Sequence, residues 1–559
     1  MKKYSPIYTS AFGILRRMAV LLALVVFSAT SVSVYAQNPN SEKSQSKGKL
    51  IKMAKNALYD GDIFTATDCY QKVDDKYPGD ANVQKALANL YWQEKNYPLA
   101  QKYFKAAYES DAKANLSELF YSAKCLQIMG KYDEAKAEYE LFAAKGKSDK
   151  NLRENVKYAK TLAEEMDRIA SDSVNNNIAI VHLDSAVNSK HINTSPLPYG
   201  DNMLIFGSLR ENEITYYNTY GDTLPVRKFY IAREDNEMEW SYVGEFDTVF
   251  NTADADVCNG ALSADKRRFF FSKCQKDEKG KRLCEIYMSK LEDDVWQTPE
   301  RLPDVINASG YTTTMPSLGV SRQNADVLYF VTDRPGGRGG LDLWFSLYNP
   351  KDNSWKEAKN CGKQINTIGD EITPYYDVTA RTLYYSSDGM IGYGGFDIYK
   401  TVGEGKSFND IKNVGKPINS SYDDLYYTID ESRRKGFLSS NRDGGYSLRN
   451  NNCCDDIYEF IYRDHIVIAV DGKVLGVTDS AYYRRIEKEY EKTRTLSLEE
   501  IQKSDNVEVL YNYRVDLYMT DKEGKNHFLK STETANGMYF FSLERDFDYY
   551  ISVKDFNNK

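Results

Sequence analysis

Histidine is the scarcest chemistry-bearing residue of this 559-residue chain: there are four, His182, His191, His465 and His527, scattered along the sequence. That supply leaves little room for imidazole catalysis or a histidine-rich metal site. Cysteine is thin too, eight residues, far below the density of a disulfide scaffold, so packed cores must hold the chain together. No long basic run exists. The 73 Lys and Arg face 81 Asp and Glu for a net charge of -8, which makes nucleic acid a poor partner. Beyond the N-terminal segment no apolar stretch would span a bilayer. Reactive signatures are also missing: there is no G-x-S-x-G elbow, no H-E-x-x-H pair and no paired C-x-x-C motif. Gly403-Glu404-Gly405-Lys406-Ser407 imitates the end of a phosphate loop, but Lys400 stands where its first glycine belongs. Acidic clusters such as Asp254-Ala255-Asp256 and Asp455-Asp456 lack a cation-loop pattern and read as turn acids. These absences give the expectation of a non-catalytic protein without cofactor or metal.

What is present begins with an export signal. Lys2, Lys3, Arg16 and Arg17 precede an apolar run from Met18 to Phe27 and small residues leading to Val34-Tyr35-Ala36. Residues 1–36 read as a signal peptide cleaved before Gln37, the rival being a membrane anchor, for which the apolar run is short. A linker, 37–48, follows. In an exported chain disulfides are permitted: Cys274 and Cys284 flank a polar turn and would face each other in a hairpin, as a disulfide or as two thiols. Cys453 and Cys454 are adjacent and are expected not to bridge each other, while Cys69 and Cys125 read as small core residues.

Two repeat families organise the rest. Ala54, Ala88 and Ala123 recur at intervals of 34 and 35 residues, as do Ala66, Ala100 and Ala135. Tyr70, Phe104 and Tyr139 keep the same phase four residues after the second set. Small residues let helices approach closely and aromatics fill between successive hairpins, so residues 49–170 resemble tetratricopeptide repeats closed by a capping helix, Leu152 to Ile169. That resemblance puts Lys55, Asn89, Trp92 and Lys124 on the groove-lining face, with Trp92 either a partner anchor or inter-helix packing.

The second family repeats an apolar-Asn pair ending in Asn193, Asn251, Asn307, Asn366 and Asn419, with spacings of 58, 56, 59 and 53. Trp240, Trp296, Trp355 and Phe408 keep step, as does an acid-apolar-aromatic triplet at Asp342, Asp397 and Asp456 with a weaker copy at Glu285. Between markers lie short strands broken by Gly-rich turns, whose glycines are expected at positive φ. Four-stranded units repeated radially make a propeller, here of five blades over 175–463. Four units carry the late aromatic strand and the fifth does not, so the apolar strand 178–183 is expected to close it and leave no open edge. Asp342, Asp397 and Asp456 start a strand in each blade and read as structural hairpin acids that could, less simply, line a ligand channel.

The propeller motifs resemble the Tol-type, TolB-like repeat. The order of domains resembles a Bacteroidetes-type family of multidomain envelope proteins, OmpA-associated and including accessory subunits of the type IX secretion system. In that family a carboxypeptidase-regulatory-like β-sandwich follows, here 465–559 with a charged helical insert at 481–503. An OmpA-like domain is not seen before Lys559, so peptidoglycan association is implied only if such a domain is missing from this chain. The expected fold class is thus multidomain α plus all-β: helical solenoid, five-bladed propeller, small sandwich. The expected function is a periplasmic scaffold for envelope proteins at the inner face of the outer membrane. The alternative is a binding module for envelope glycan or a small ligand, through the propeller or the sandwich; an enzyme on a propeller is the third reading.

Overall fold

The computed structural model describes residues 45–559 apart from residues 201, 211–225, 237, 253–254, 278–280, 322, 324, 448–449, 464–468, 494–500, 502–503, 511–512, 522, 535–536, 544–546 and 555–559. The expected signal peptide, most of the expected linker, His465 and the end of the expected helical insert fall outside them.

Seven helices come first: α1 (Lys47–Asp60), α2 (Ile63–Lys76), α3 (Ala81–Gln93), α4 (Tyr97–Ser110), α5 (Leu116–Ile128), α6 (Tyr132–Gly146) and α7 (Arg153–Ser171). Asp62, Asp80 and Asn96 cap α2, α3 and α4, each side chain accepting from an orphan backbone N–H of the first turn. All six phase-keeping alanines are 0% exposed, which is what lets consecutive helices pack backbone to backbone. On α7 the buried set Val156, Ala159, Leu162, Ala163, Met166 and Ile169 follows the helical period and covers the apolar face of α6.

The β region forms five radial sheets whose innermost strands touch in a closed ring. These innermost strands are Asn193–Pro198, Asp256–Leu262, Thr313–Val320, Glu371–Asp377 and Asp424–Ile429. In the second, third and fourth blades the outermost strand is split into two short pieces that both pair the strand before them, so these sheets hold five strands where four were expected. In the fifth blade Ile178–His182 pairs antiparallel with Asp456–Tyr462, from Ile178 opposite Tyr462 to His182 opposite Tyr458. His182 Nε2 lies 2.8 Å from Asp456 Oδ2, a structural contact.

The asparagine markers explain how each blade is fastened. Asn307 accepts from the Ile286 amide at 2.8 Å and donates to the Ile286 carbonyl at 2.9 Å, clamping its own third strand. Asn251 does the same with Phe229, Asn366 with Leu343 and Asn419 with Ile398. Asn193 breaks the series. It begins the first innermost strand and bonds Ser208 and Asp456, whereas the fifth clamp is Asn188, whose Oδ1 accepts from the Ile457 amide at 2.8 Å. Val187-Asn188 is also an apolar-Asn pair; Ile192-Asn193 matched the spacing by coincidence.

Asp342, Asp397 and Asp456 accept backbone N–H groups of their own hairpin turns, from Gly339, from Tyr393 and Gly394, and from Tyr446. The doubled glycines Gly339-Gly340 and Gly394-Gly395 are not at positive φ, contrary to expectation. They are small because the next blade comes close: a Cβ on Gly339 would stand 1.8 Å from the Gly369 carbonyl oxygen, and one on Gly394 1.6 Å from that of Ser421.

The C-terminal region holds a three-stranded sheet of Arg514–Thr520, Asn526–Glu533 and Asp548–Lys554, two two-stranded pairs, and a helix, α8 (Ser480–Thr493), overlapping the expected insert at 481–503. Its core, Val515, Leu517, Met519 and Phe541, packs on Val402 of the fourth blade.

Cys274 and Cys284 are paired in register across a hairpin and joined Sγ to Sγ. Cys453 and Cys454, expected to stay apart, are also joined to each other, in a turn where the Cys453 amide donates to the Asn450 carbonyl at 3.3 Å.

Candidate functional site

The two ends of the propeller channel differ. At one end sits the helical array. The α3–α4 turn brings Lys95 Nζ to 2.5 Å from Asp423 Oδ2, and the Tyr97 hydroxyl lies 3.3 Å from the same oxygen. Burial alone would lower the Lys95 ammonium, yet Asp423 and its neighbours hold it above the ordinary lysine value, and Lys95 in turn holds the buried Asp423 below the usual carboxylate range. Gln127 donates to the Gly392 carbonyl at 2.9 Å, and the Tyr158 hydroxyl to those of Asp388 and Met390 at 3.0 and 2.9 Å.

This docking decides where the expected groove residues stand. Lys55 and Asn89 are exposed, the latter turned back onto the Lys85 carbonyl at 2.8 Å. Trp92 is half-buried against the rings of Tyr97, Phe104 and Tyr121, with centroids 5.8, 6.3 and 5.9 Å away. Lys124 does not line an open groove: it is 6% exposed and donates to the Asp388 carbonyl at 3.2 Å. At Lys124 that face carries the chain's own hairpins, with Tyr393 and Tyr422 in the helical cores.

The other end of the channel opens into a cup of ≈ 610 Å³, within the range of small-molecule sites. Its geometry comes from one device used five times. Each innermost strand carries a bulge, and at each bulge a non-glycine residue sits at positive φ: Ser195 at 52°, Asn259 at 58°, Met315 at 54°, Thr373 at 50° and Tyr426 at 54°. Left-handed backbone at such residues costs roughly 1–2 kcal/mol each and persists only where surrounding structure enforces it. Here neighbouring blades do so. The Asn259 amide donates to Ser195 Oγ at 3.3 Å, the Thr373 amide to Met315 Sδ at 3.4 Å, and the Tyr426 amide to Thr373 Oγ1 at 3.2 Å. Met315 instead donates to Ser272 Oγ, at 2.9 Å. The Tyr426 hydroxyl then reaches Asn259 Oδ1 at 2.6 Å, joining the fifth blade to the second across the channel. The cup therefore has a floor.

Hydroxyl and amide groups from Ser195, Asn259, Ser317, Thr373 and Tyr426, with the Tyr375 ring and Leu197, Ala261 and Leu318, make floor and walls. Charge is confined to the rim and largely paired. Arg433 lies 2.5 Å from Asp377, Lys435 bridges Glu234 and Glu459, and Lys266 meets Glu431. Among the described residues no group of three His, Cys, Asp or Glu is placed to hold a metal ion. No helix there is long and apolar enough to cross a membrane.

Sequence reading missed this cup. Five bulge residues of five different kinds share a backbone conformation and no identity; the one trace is Pro196, Pro316 and Pro374, each following a bulge residue.

No family model and no curated protein matches the chain, so the envelope-family resemblance rests on the motifs alone. Among solved structures, the yeast Sti1 TPR2B domain in a pHsp70 complex is similar at 16% identity over 22% of this chain and 96% of that one, with a TM-score of 0.19. A thermostable family-43 glycoside hydrolase matches at 11% identity over 49% and 91%, TM-score 0.33. The exo-β-1,3-galactanase of Clostridium thermocellum matches at 13% over 55% and 75%, TM-score 0.34. The likeness is one of fold: tetratricopeptide-like helices and a propeller. It corrects one expectation, since the propellers resembled are glycoside hydrolases and the expectation that this chain is not an enzyme does not stand.

Proposed function

We propose that the propeller is a binding module for an uncharged, hydroxyl-rich ligand, a glycan segment, held in the floored cup. The carrying observation is the combination of a hydroxyl- and amide-lined floor closed by the Tyr426–Asn259 bridge with a rim whose charges pair among themselves. Groups that both donate and accept are matched by a ligand that does the same, and an uncharged ligand leaves the rim pairs intact. In the envelope setting that the motifs imply, the ligand would be a surface or cell-wall saccharide. The scaffold reading, including type IX secretion, keeps the exposed Lys55 and Asn89 but loses Lys124, which the propeller covers.

Isothermal titration with a panel of soluble neutral oligosaccharides tests the reading. Binding to at least one member is expected, weakened tenfold or more by Ala264→Trp, which sets a bulky ring on the exposed lip of the cup. Tyr426→Phe, which unlocks the floor, should weaken it less. A panel without a binder, or a binder indifferent to Ala264→Trp, would sink the proposal. The same incubations, assayed for new reducing ends, report whether a bound saccharide is cut.

A further inference from the structure

A second recess lies on the opposite side of the molecule from the cup's floor, between the last helix of the array and the rims of the third and fourth blades. It encloses ≈ 520 Å³. One wall is a single face of α7, Glu154, Lys157, Tyr158 and Thr161, at the i, i+3, i+4, i+7 spacing that places side chains side by side. The other wall is blade surface, and between them Ile368, Met390, Ile391 and Ile411 make an apolar floor. The Tyr158 hydroxyl is spent on two blade carbonyls, so the floor is rigid where helix and propeller meet.

Charge distinguishes this recess. Lys157 on the helix, Arg338 on the third-blade hairpin and Lys363 on the following connection are all exposed at its edge, and Glu154 is the one acid lining it. In a chain of net charge -8 this is a local excess of positive charge beside an apolar floor. The buried acids nearby are spent on backbone amides: Glu371 accepts from that of Thr367 at 2.7 Å, Asp342 from Gly339 at 3.3 Å, Asp388 from Asp370 at 2.8 Å and Asp397 from Tyr393 at 2.8 Å. Three cations on three separate elements suit several acidic groups spaced along a chain better than one compact headgroup. A recess between two bodies suits a strand of peptide better than a flat bilayer surface.

We infer that this cleft is a docking site for a partner protein's acidic peptide segment, anchored by a large apolar side chain on the floor with its carboxylates on Lys157, Arg338 and Lys363. The site is independent of the cup. It also returns protein binding to the helical array at a face other than the covered one.

The test uses the full mature chain and three probes: a fluorescein-labelled peptide with two leucines flanked by Asp and Glu, the same peptide with Lys in place of the acids, and phosphatidylglycerol vesicles. Fluorescence anisotropy should show binding of the acidic peptide, weakening as salt rises, and a tenfold or greater loss in Lys157→Glu/Lys363→Glu. Both side chains are exposed, so this variant should melt with the parent protein and keep any saccharide binding of the cup. Equal binding of the basic peptide, preference for the vesicles, an unaffected double variant, or no binding of the acidic peptide would each overturn the inference.

Discussion

Replacing Asn188 with alanine should loosen the seam of the propeller and little else. Asn188 is fully buried and makes three close contacts: Nδ2 to the Leu183 carbonyl at 2.7 Å, Nδ2 to the Ile457 carbonyl at 2.9 Å, and Oδ1 from the Ile457 amide at 2.8 Å. A buried hydrogen bond contributes about 1 kcal/mol net, and an orphaned buried donor costs roughly 1–3 kcal/mol. The Ile457 carbonyl keeps the Leu183 amide, at 3.2 Å, whereas the Ile457 amide loses its partner. The expected loss is therefore about 3 kcal/mol. It should be concentrated in the strands Ile178–His182 and Asp456–Tyr462, because Asn188 holds the one blade built from both ends of the domain. Amide hydrogen exchange by mass spectrometry, at a denaturant concentration where the parent is folded, reads this directly. Protection of those two strands should fall by roughly two orders of magnitude while the third blade stays unchanged, since 1.4 kcal/mol is a factor of ten. Asn307→Ala, which removes the matching clamp of the second blade, is the control. If it deprotects the seam as much as Asn188→Ala does, or if Asn188→Ala leaves the seam protected, the assignment of the fifth clamp is wrong.

Lys95→Met should leave Asp423 buried beside an apolar chain, cost about 3–5 kcal/mol at the array–propeller contact, and make the α3–α4 turn sensitive to limited proteolysis; an undigested, equally stable variant contradicts the docking. Gly394→Ala should prevent stable folding, because its Cβ meets the Ser421 backbone, whereas Gly444→Ala, at φ 96° with open space, should cost only about 1–2 kcal/mol; melting curves of the two compare the causes. Burial lifts Glu371 to about 7, above its unfolded value, against three hydrogen bonds that favour the anion. The stabilisation it allows is thus complete below the unfolded pKa and is lost as pH rises through about 7. The unfolding free energy from urea titrations should fall between pH 5 and pH 8, by up to about 3 kcal/mol from this group, and its pH dependence should flatten in Glu371→Gln.

The repeats were legible because packing imposes the same residue at the same phase. Ala54, Ala88 and Ala123 touch neighbouring helices, and Asn251, Asn307, Asn366 and Asn419 clamp their own blades, so identity recurs with period. The fifth clamp was misplaced where two apolar-Asn pairs lie five residues apart, a choice that only strand pairing settles. The docking of the array could not be read at all: Lys95 and Asp423 are 328 residues apart, and although each stands at a repeated position the contact between them is made once. The cup was hidden for another reason. Its defining feature is a backbone angle imposed by the adjacent blade, and Ser, Asn, Met, Thr and Tyr adopt it alike.

The blade sewn from both chain ends also sets a timetable. Ile178–His182 is made before any other strand of the ring, yet its partner Asp456–Tyr462 leaves the ribosome roughly 280 residues later, which at 5–20 residues per second is tens of seconds. Throughout that interval the nascent propeller is an open arc with an adhesive strand at its leading edge, held beside a helical array that can already be folded. Until the last blade arrives, that strand lacks the neighbour it pairs with in the closed ring.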